Sequence, residues 1–210
     1  MIELTHTLHR SGTRDSLRDD FVWQVYPSRG VNDYNVPDRL RKVVDVITDL
    51  GSSNWGDVYT GCARKVPVSK IREKLQDGSK LRGVLTSKSQ VVRFLRSMKN
   101  AEIGFSVIIS GLMDEILDAC QQTAVTPHTI NLSLGIWGKK ELLAKQSLLE
   151  VTTMCGHHMI SPRLVEKTIS DVRRRAKSAA RASSDLVGLC PCGVFNPERA
   201  QRLIQQQAEK

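Results

Sequence analysis

At 210 residues, 40% apolar and 25% charged, the chain can build one sizeable core with a small appended lobe, and its composition is that of a globular rather than a disordered protein. The formal charge of +9 attracts nucleic acid, an anionic substrate or an acidic partner alike, and selects none of them. No apolar run is long enough to span a bilayer, and the start of the chain, with His6, His9, Arg10 and Arg14 among polar residues, lacks the apolar stretch of a secretion signal; the expected location is the cytoplasm, with no membrane partner.

Residues 1–20 are polar, show no period and read as an N-terminal arm. Phe21 to Tyr26 is β-branched and aromatic, as in a strand. Pro37 then opens a helix whose apolar positions Val36, Leu40, Val43, Val44, Ile47 and Leu50 keep helical spacing up to Gly51. Residues 52–66 read as a loop presenting Cys62, and Pro67 to about Gln76 as a short helix. Leu81 to Leu85 is a short strand and Ser87 to Lys99 a helix. Ile103 to Ile109 is nearly continuous apolar sequence, as in a strand buried on both faces. Leu112 to Gln122 is helical. His128 to Ile136 alternates with Ile130, Leu132, Leu134 and Ile136 on one face, as in a strand. Lys139 to about Val151 reads as a helix, and the last third as two helices, about Pro162 to Ala180 and Pro197 to Ala208, separated by cysteine loops.

This alternation predicts an α/β fold: a helix-covered parallel or mixed sheet with a helical C-terminal segment that carries the cysteine loops. The expected division is an arm over 1–20, an α/β domain over 21–151 and a helical cysteine-rich segment over 152–210.

Three cysteine stretches share one design, a short loop with a helix start behind it. Cys190-Pro191-Cys192-Gly193 leads to Asn196-Pro197, an N-cap and first helical residue. Met154-Cys155-Gly156-His157-His158 leads to Ser161-Pro162, and Gly61-Cys62 leads to Val66-Pro67-Val68-Ser69. Helix N-termini favour a thiolate, and Arg64 and Lys65 add positive charge beside Cys62. In a reducing compartment clustered cysteines point to a metal rather than to disulfides. Cys62, Cys155, Cys190 and Cys192 are therefore the expected ligands. Their scatter along the chain, and the glycines against them (Gly61, Gly156, Gly193) that admit backbone to a bulky core, favour a [4Fe–4S] cluster, with zinc as the alternative.

His157 and His158 are candidate proton carriers beside that centre. Cys120 falls with Met113, Ile116 and Leu117 on an apolar helix face and reads as core. His128, Asn131 and Ser133 border a strand end or face solvent. The run from Arg173 to Arg181 lies opposite the apolar stripe of its helix; a solvated face is the default, phosphate binding the alternative.

Four phrases form a set: Leu8-His9-Arg10-Ser11-Gly12-Thr13, Pro127 to Gly135 (Pro-His-Thr-Ile-Asn-Leu-Ser-Leu-Gly), Thr153-Met154-Cys155-Gly156-His157, and Cys190 to Pro197 (Cys-Pro-Cys-Gly-Val-Phe-Asn-Pro). Together they resemble a family of small iron–sulfur proteins from anaerobic bacteria and archaea. The resemblance implies a cluster and no particular reaction. It also implies glycine after the single histidine of the Met-Cys-Gly-His phrase, where this chain has His158.

The functional expectation is a cytoplasmic [4Fe–4S] protein in a redox system. It serves either as an electron carrier that recruits an acidic redox partner through its basic surface, or as an enzyme with one iron open to substrate. The alternative is a zinc-stabilised basic module that binds nucleic acid.

Overall fold

The computed structural model describes residues 10–133 and 135–210. In chain order the elements are α1 (Arg14–Leu17), β1 (Phe21–Tyr26), α2 (Val36–Leu50), β2 (Asn54–Asp57), β3 (Gly61–Cys62), α3 (Val68–Glu73), β4 (Leu81–Leu85), α4 (Lys88–Asn100), β5 (Ser106–Ser110) and α5 (Met113–Gln122). A long irregular stretch with one 3-10 turn at Lys140–Leu142 follows, then α6 (Gln146–Thr152), α7 (Pro162–Arg173), α8 (Ala179–Val187) and α9 (Pro197–Ala208).

Local chemistry accounts for the clearest boundaries. Val36, Leu40, Val43, Val44, Ile47 and Leu50 form the buried stripe of α2, and Gly51 ends that helix in the left-handed conformation with φ +68°. The Ser87 side chain accepts from the Gln90 amide to start α4. Ser161 and Asn196 do the same for the amides of Leu164 and Arg199, each just before a proline.

The fold is α/β, but the sheet is antiparallel rather than parallel or mixed. The strand order is β3-β2-β4-β1-β5, and every pairing is antiparallel. Both strand–helix–strand units are split. β1 and β2, joined through α2, run in the same direction with β4 between them; β4 and β5, joined through α4, do so with β1 between them. Two interlocked split βαβ units make a ferredoxin-like plait, a description of topology that carries no function.

Alternation along the strands gives the sheet two apolar faces. Phe21, Trp23, Val25, Leu81 and Leu85 pack with α2 and α4; the Trp23 and Phe94 ring centroids are 5.4 Å apart. Each such buried side chain contributes about 1.5–3 kcal/mol of transfer free energy. Val22 and Cys62, on the other face, belong to a second core built from α6 to α9, with Val151, Val165, Ile169, Leu186, Phe195 and Leu203. A split βαβ plait keeps its own helices on one face, and here the C-terminal helices cover the other.

Several elements differ from the sequence reading. The 52–66 region holds the β2–β3 hairpin, so Cys62 lies on a strand rather than in a loop. The Ile103–Ile109 run becomes β5, an edge strand only half buried. His128 to Ile136 is irregular and exposed over its described residues, and among the described residues β5 pairs only with β1; Leu134 lies outside the described residues. The 139–151 helix reduces to the 3-10 turn and α6. The 162–180 helix breaks after Arg173, because Arg175 turns left-handed at φ +59° and Ser178 caps a new helix. Residues 1–9 lie outside the described residues, while 10–20 pack onto the C-terminal segment as described below. No helix among the described residues is long and apolar enough to cross a membrane.

Candidate metal centre

Strand register sets the floor of the site. Ile108, Gln24, Arg82, Gly56 and Cys62 lie in one row across the five strands. Paired residues share a face, so Arg82 and Cys62 flank Gly56 on the side covered by the C-terminal segment. The Asp57 carboxylate closes the β2–β3 turn by accepting from the Tyr59 and Thr60 amides at 3.0 and 3.1 Å.

The Cys190–Gly193 loop lies on this floor. Gly193 has φ +82°, and a Cβ there would fall 2.3 Å from the Trp55 carbonyl carbon and 2.5 Å from the Gly56 nitrogen. Only glycine lets the loop rest on the β2 backbone. The space left at Gly193 is therefore filled by protein, not held for an inorganic core. Asn54 reinforces the docking by donating to the Phe195 carbonyl at 3.0 Å. Cys155 follows α6 in a turn in which the His158 amide donates to the Cys155 carbonyl at 3.1 Å. Gly156 is half-buried in that turn.

All four candidate cysteines meet in the second core, with exposures of 2% (Cys62), 0% (Cys155), 0% (Cys190) and 6% (Cys192). The Cys190 and Cys192 sulfurs are 3.5 Å apart. Cys155 hydrogen-bonds Cys190, and Cys62 is within electrostatic reach of Cys192. His157 Nδ1 lies 3.8 Å from the Cys192 sulfur.

Cys190 keeps its proton, because hydrogen bonds to Cys155 and Cys192, then burial, push its thiol far up. The bond to Cys190 pulls Cys155 down to about 6, helped by the Met159 and His157 amides. Cys192 also falls to about 6, through Cys190 first, then the Val194 amide and the charges of Arg82 and His157. Burial raises Cys62, and the Arg64 and Lys65 backbone amides offset only part of that. The basic side chains beside Cys62 thus do not make it the most acidic thiol; the Arg64 guanidinium is turned to the Ser53 carbonyl at 2.8 Å.

A buried ionic network braces the site from the other side. Asp20 Oδ2 accepts from Arg10 at 3.0 Å and from Arg199 at 2.7 Å, and the Arg199 and Asp20 side chains are fully buried. Arg10 also donates to the Val194 carbonyl and is electrostatically coupled to Cys190. Arg199 donates to the Ser11 carbonyl at 2.7 Å, and Asn196 to the Asp19 carbonyl at 2.8 Å. These bonds tie residues 10–20 to the cysteine loop and to the start of α9. Sequence reasoning passed over Arg199 and Asp20; the one available signal was Arg10 within the Leu8–Thr13 phrase.

Neither family models, nor curated proteins, nor solved structures give a match to this chain. The family resemblance therefore rests on its motifs. One detail of it has a physical counterpart: His158, where the resemblance implies glycine, sits at φ +56°, a conformation that favours glycine.

Other candidates fall elsewhere. Cys120 is buried in the first core, beside Ala119. His157 and His158 are both exposed; the His157 ring reaches the Cys192 sulfur, while His158 meets Cys155 through its backbone amide. His128, Asn131 and Ser133 are exposed on a cavity along β5 that holds none of the four candidate cysteines. The basic run is largely engaged: Arg173 donates to the Gln207 carbonyl at 2.9 Å, Arg174 pairs with Asp171 at 2.9 Å, and Lys177 and Arg181 both pair with Asp185 at 3.1 Å.

In chemistry the donor set fits a thiolate-bound metal: four buried cysteines, with backbone amides directed at the sulfurs. In spacing, Cys155, Cys190 and Cys192 are thiols hydrogen-bonded in a chain, with Cys62 beside them. No group of three or more His, Cys, Asp or Glu side chains among the described residues is arranged to hold a metal ion.

Proposed function

We propose that the protein is a cytoplasmic [4Fe–4S] protein of a redox system, acting as an electron carrier or as an enzyme with one open iron. The observation that carries this reading is the meeting of Cys62, Cys155, Cys190 and Cys192, from three places in the chain, within one buried core. Those cysteines would hold the cluster, which when bound supplies one-electron transfer or, with an iron left open, a Lewis acid.

The chain's own residues have definable tasks in this reading. The β2 backbone and Asn54 hold the Cys190–Gly193 loop in place. Arg82, and the positive member of the Arg10–Asp20–Arg199 network nearest Cys190, offset thiolate charge that burial would otherwise disfavour. His157 spans from solvent to the Cys192 sulfur and can carry a proton between them. The formal charge of +9 would steer an acidic redox partner to the surface. Purification without oxygen, followed by iron and sulfide analysis and a visible spectrum, tests the reading. About four irons and four sulfides per chain are expected; a colourless, iron-free protein would refute it.

Zinc is the second reading, favoured by one observation. Sulfurs around tetrahedral zinc stand about 3.8 Å apart, close to the 3.5 Å between Cys190 and Cys192 and the 3.8 Å from Cys192 to His157. Cys155, Cys190, Cys192 and His157 would then be the ligands of a structural site, and Cys62 would be dispensable. The nucleic-acid role attached to this reading draws little support from arginines that already serve α7, α8 and α9.

A further inference from the structure

A cavity of about 780 Å³ runs along β5, with β5 and α5 on one side and residues 125–133 on the other. Small-molecule sites span roughly 300–1,000 Å³. The lining descends from Ile108, Leu117, Ile130 and Leu132, which keep apolar surface in water, to Phe105 and Cys120, which are buried. The two walls differ in chemistry. β5 and α5 contribute the apolar side chains of Val107, Ile109, Ile116 and Leu117. The opposite wall adds His128, Thr129 and Asn131, whose imidazole, hydroxyl and amide groups can donate to an oxygen. The Thr129 hydroxyl meets His128 Nδ1 at 3.3 Å, which leaves Nε2 as the ring's other hydrogen-bonding atom.

Charge selects the ligand class. Arg10 and Asp20 are the only Arg, Lys, Asp or Glu among the described lining residues, and they pair with each other at 3.0 Å. Arg10 also donates to the Val194 carbonyl, so the cavity reaches the network that braces the cysteine loop. An ion entering this space would lose water and find no unpaired opposite charge. An uncharged molecule with an apolar body meets no such cost and covers the exposed side chains. We propose that the cavity binds an uncharged small molecule with an apolar body and a carbonyl or hydroxyl oxygen. The body lies against β5 and α5, and the oxygen faces His128, Thr129 and Asn131. The site does not depend on the metal held by the cysteines.

The test is titration calorimetry with two probes, 2-acetylnaphthalene and 2-naphthoate, in which the same ring carries an acetyl group or a carboxylate. The ketone should bind at one saturable site per chain, and the carboxylate at least about tenfold more weakly. A surface of net charge +9 would favour the anion elsewhere, so this order marks the uncharged cavity. Leu117→Trp and Ile130→Trp enlarge side chains that are already 40% and 53% exposed. Each should occupy part of the cavity and weaken the ketone at least about tenfold, with Tm unchanged. Either variant is decisive if the other does not fold. A wild type without saturable ketone binding would overturn the proposal. So would a carboxylate that binds as tightly as the ketone, or folded variants that bind the ketone like wild type.

Discussion

Replacing Gly193 by alanine tests whether the cysteine loop is docked on the sheet. The new methyl meets backbone on β2, with the Trp55 carbonyl carbon at 2.3 Å and the Gly56 nitrogen at 2.5 Å, so no side chain can swing aside to relieve it. Two costs add. An L-residue in the left-handed region costs about 1–2 kcal/mol, and forcing a methyl into packed structure about 1–3 kcal/mol. Gly51→Ala isolates the first, because Gly51 has φ +68° and nothing within 4 Å of its Cβ direction. Gly193→Ala should therefore lose about 2–5 kcal/mol and Gly51→Ala about 1–2 kcal/mol. At about 2–4 °C per kcal/mol for a chain of this size, Gly193→Ala lowers Tm by about 4–20 °C. Urea titrations and thermal melts by circular dichroism, run on both variants, give the comparison. If Gly193→Ala costs no more than Gly51→Ala, the loop does not rest on β2 and the floor of the site is misplaced.

Asp20→Asn removes the charge shared by Arg10 and Arg199 and leaves two buried cations without compensation; it should cost about 3–5 kcal/mol by urea denaturation, and a loss under 1 kcal/mol would mean that the network does not brace the loop. His158→Gly should stabilise the chain by about 0.5–1 kcal/mol by relieving a left-handed β-carbon; a lower Tm would contradict the turn geometry. Arg173→Ala should cost about 1 kcal/mol through its lost bonds to the end of α9. It should leave retention on duplex DNA at low salt unchanged, and a clear fall in retention would favour the nucleic-acid alternative.

The legible parts of the fold are those written in local chemistry. Phe21–Tyr26 and the stripe from Val36 to Leu50 appear where composition and period place them, and Ser87, Ser161 and Asn196 cap helices as their side chains dictate. Strand order is not local. A strand, a helix and a second strand read alike whether the two strands adjoin or admit a third between them, and β4 sits between β1 and β2 through pairings far apart in sequence. The same limit explains β5: its apolar run reads as central, but it lies at the edge, beyond the reach of the C-terminal helices. At the site, the four cysteines were legible as a candidate set, although Cys62 lies on β3 and not in a loop like the other three. The role of Gly193 was not, because its neighbour is β2 backbone some 140 residues earlier in the chain. Asp20 and Arg199 look like ordinary surface charges until the fold buries them together.

The most direct measurement is metal content, made on wild type and Cys62→Ser purified side by side without oxygen. A four-cysteine cluster predicts a brown wild type with about four irons and four sulfides per chain, and a Cys62→Ser variant that has lost most of both. A colourless wild type holding one zinc, with the zinc retained in Cys62→Ser, would contradict the cluster and leave a structural site built from Cys155, Cys190, Cys192 and His157.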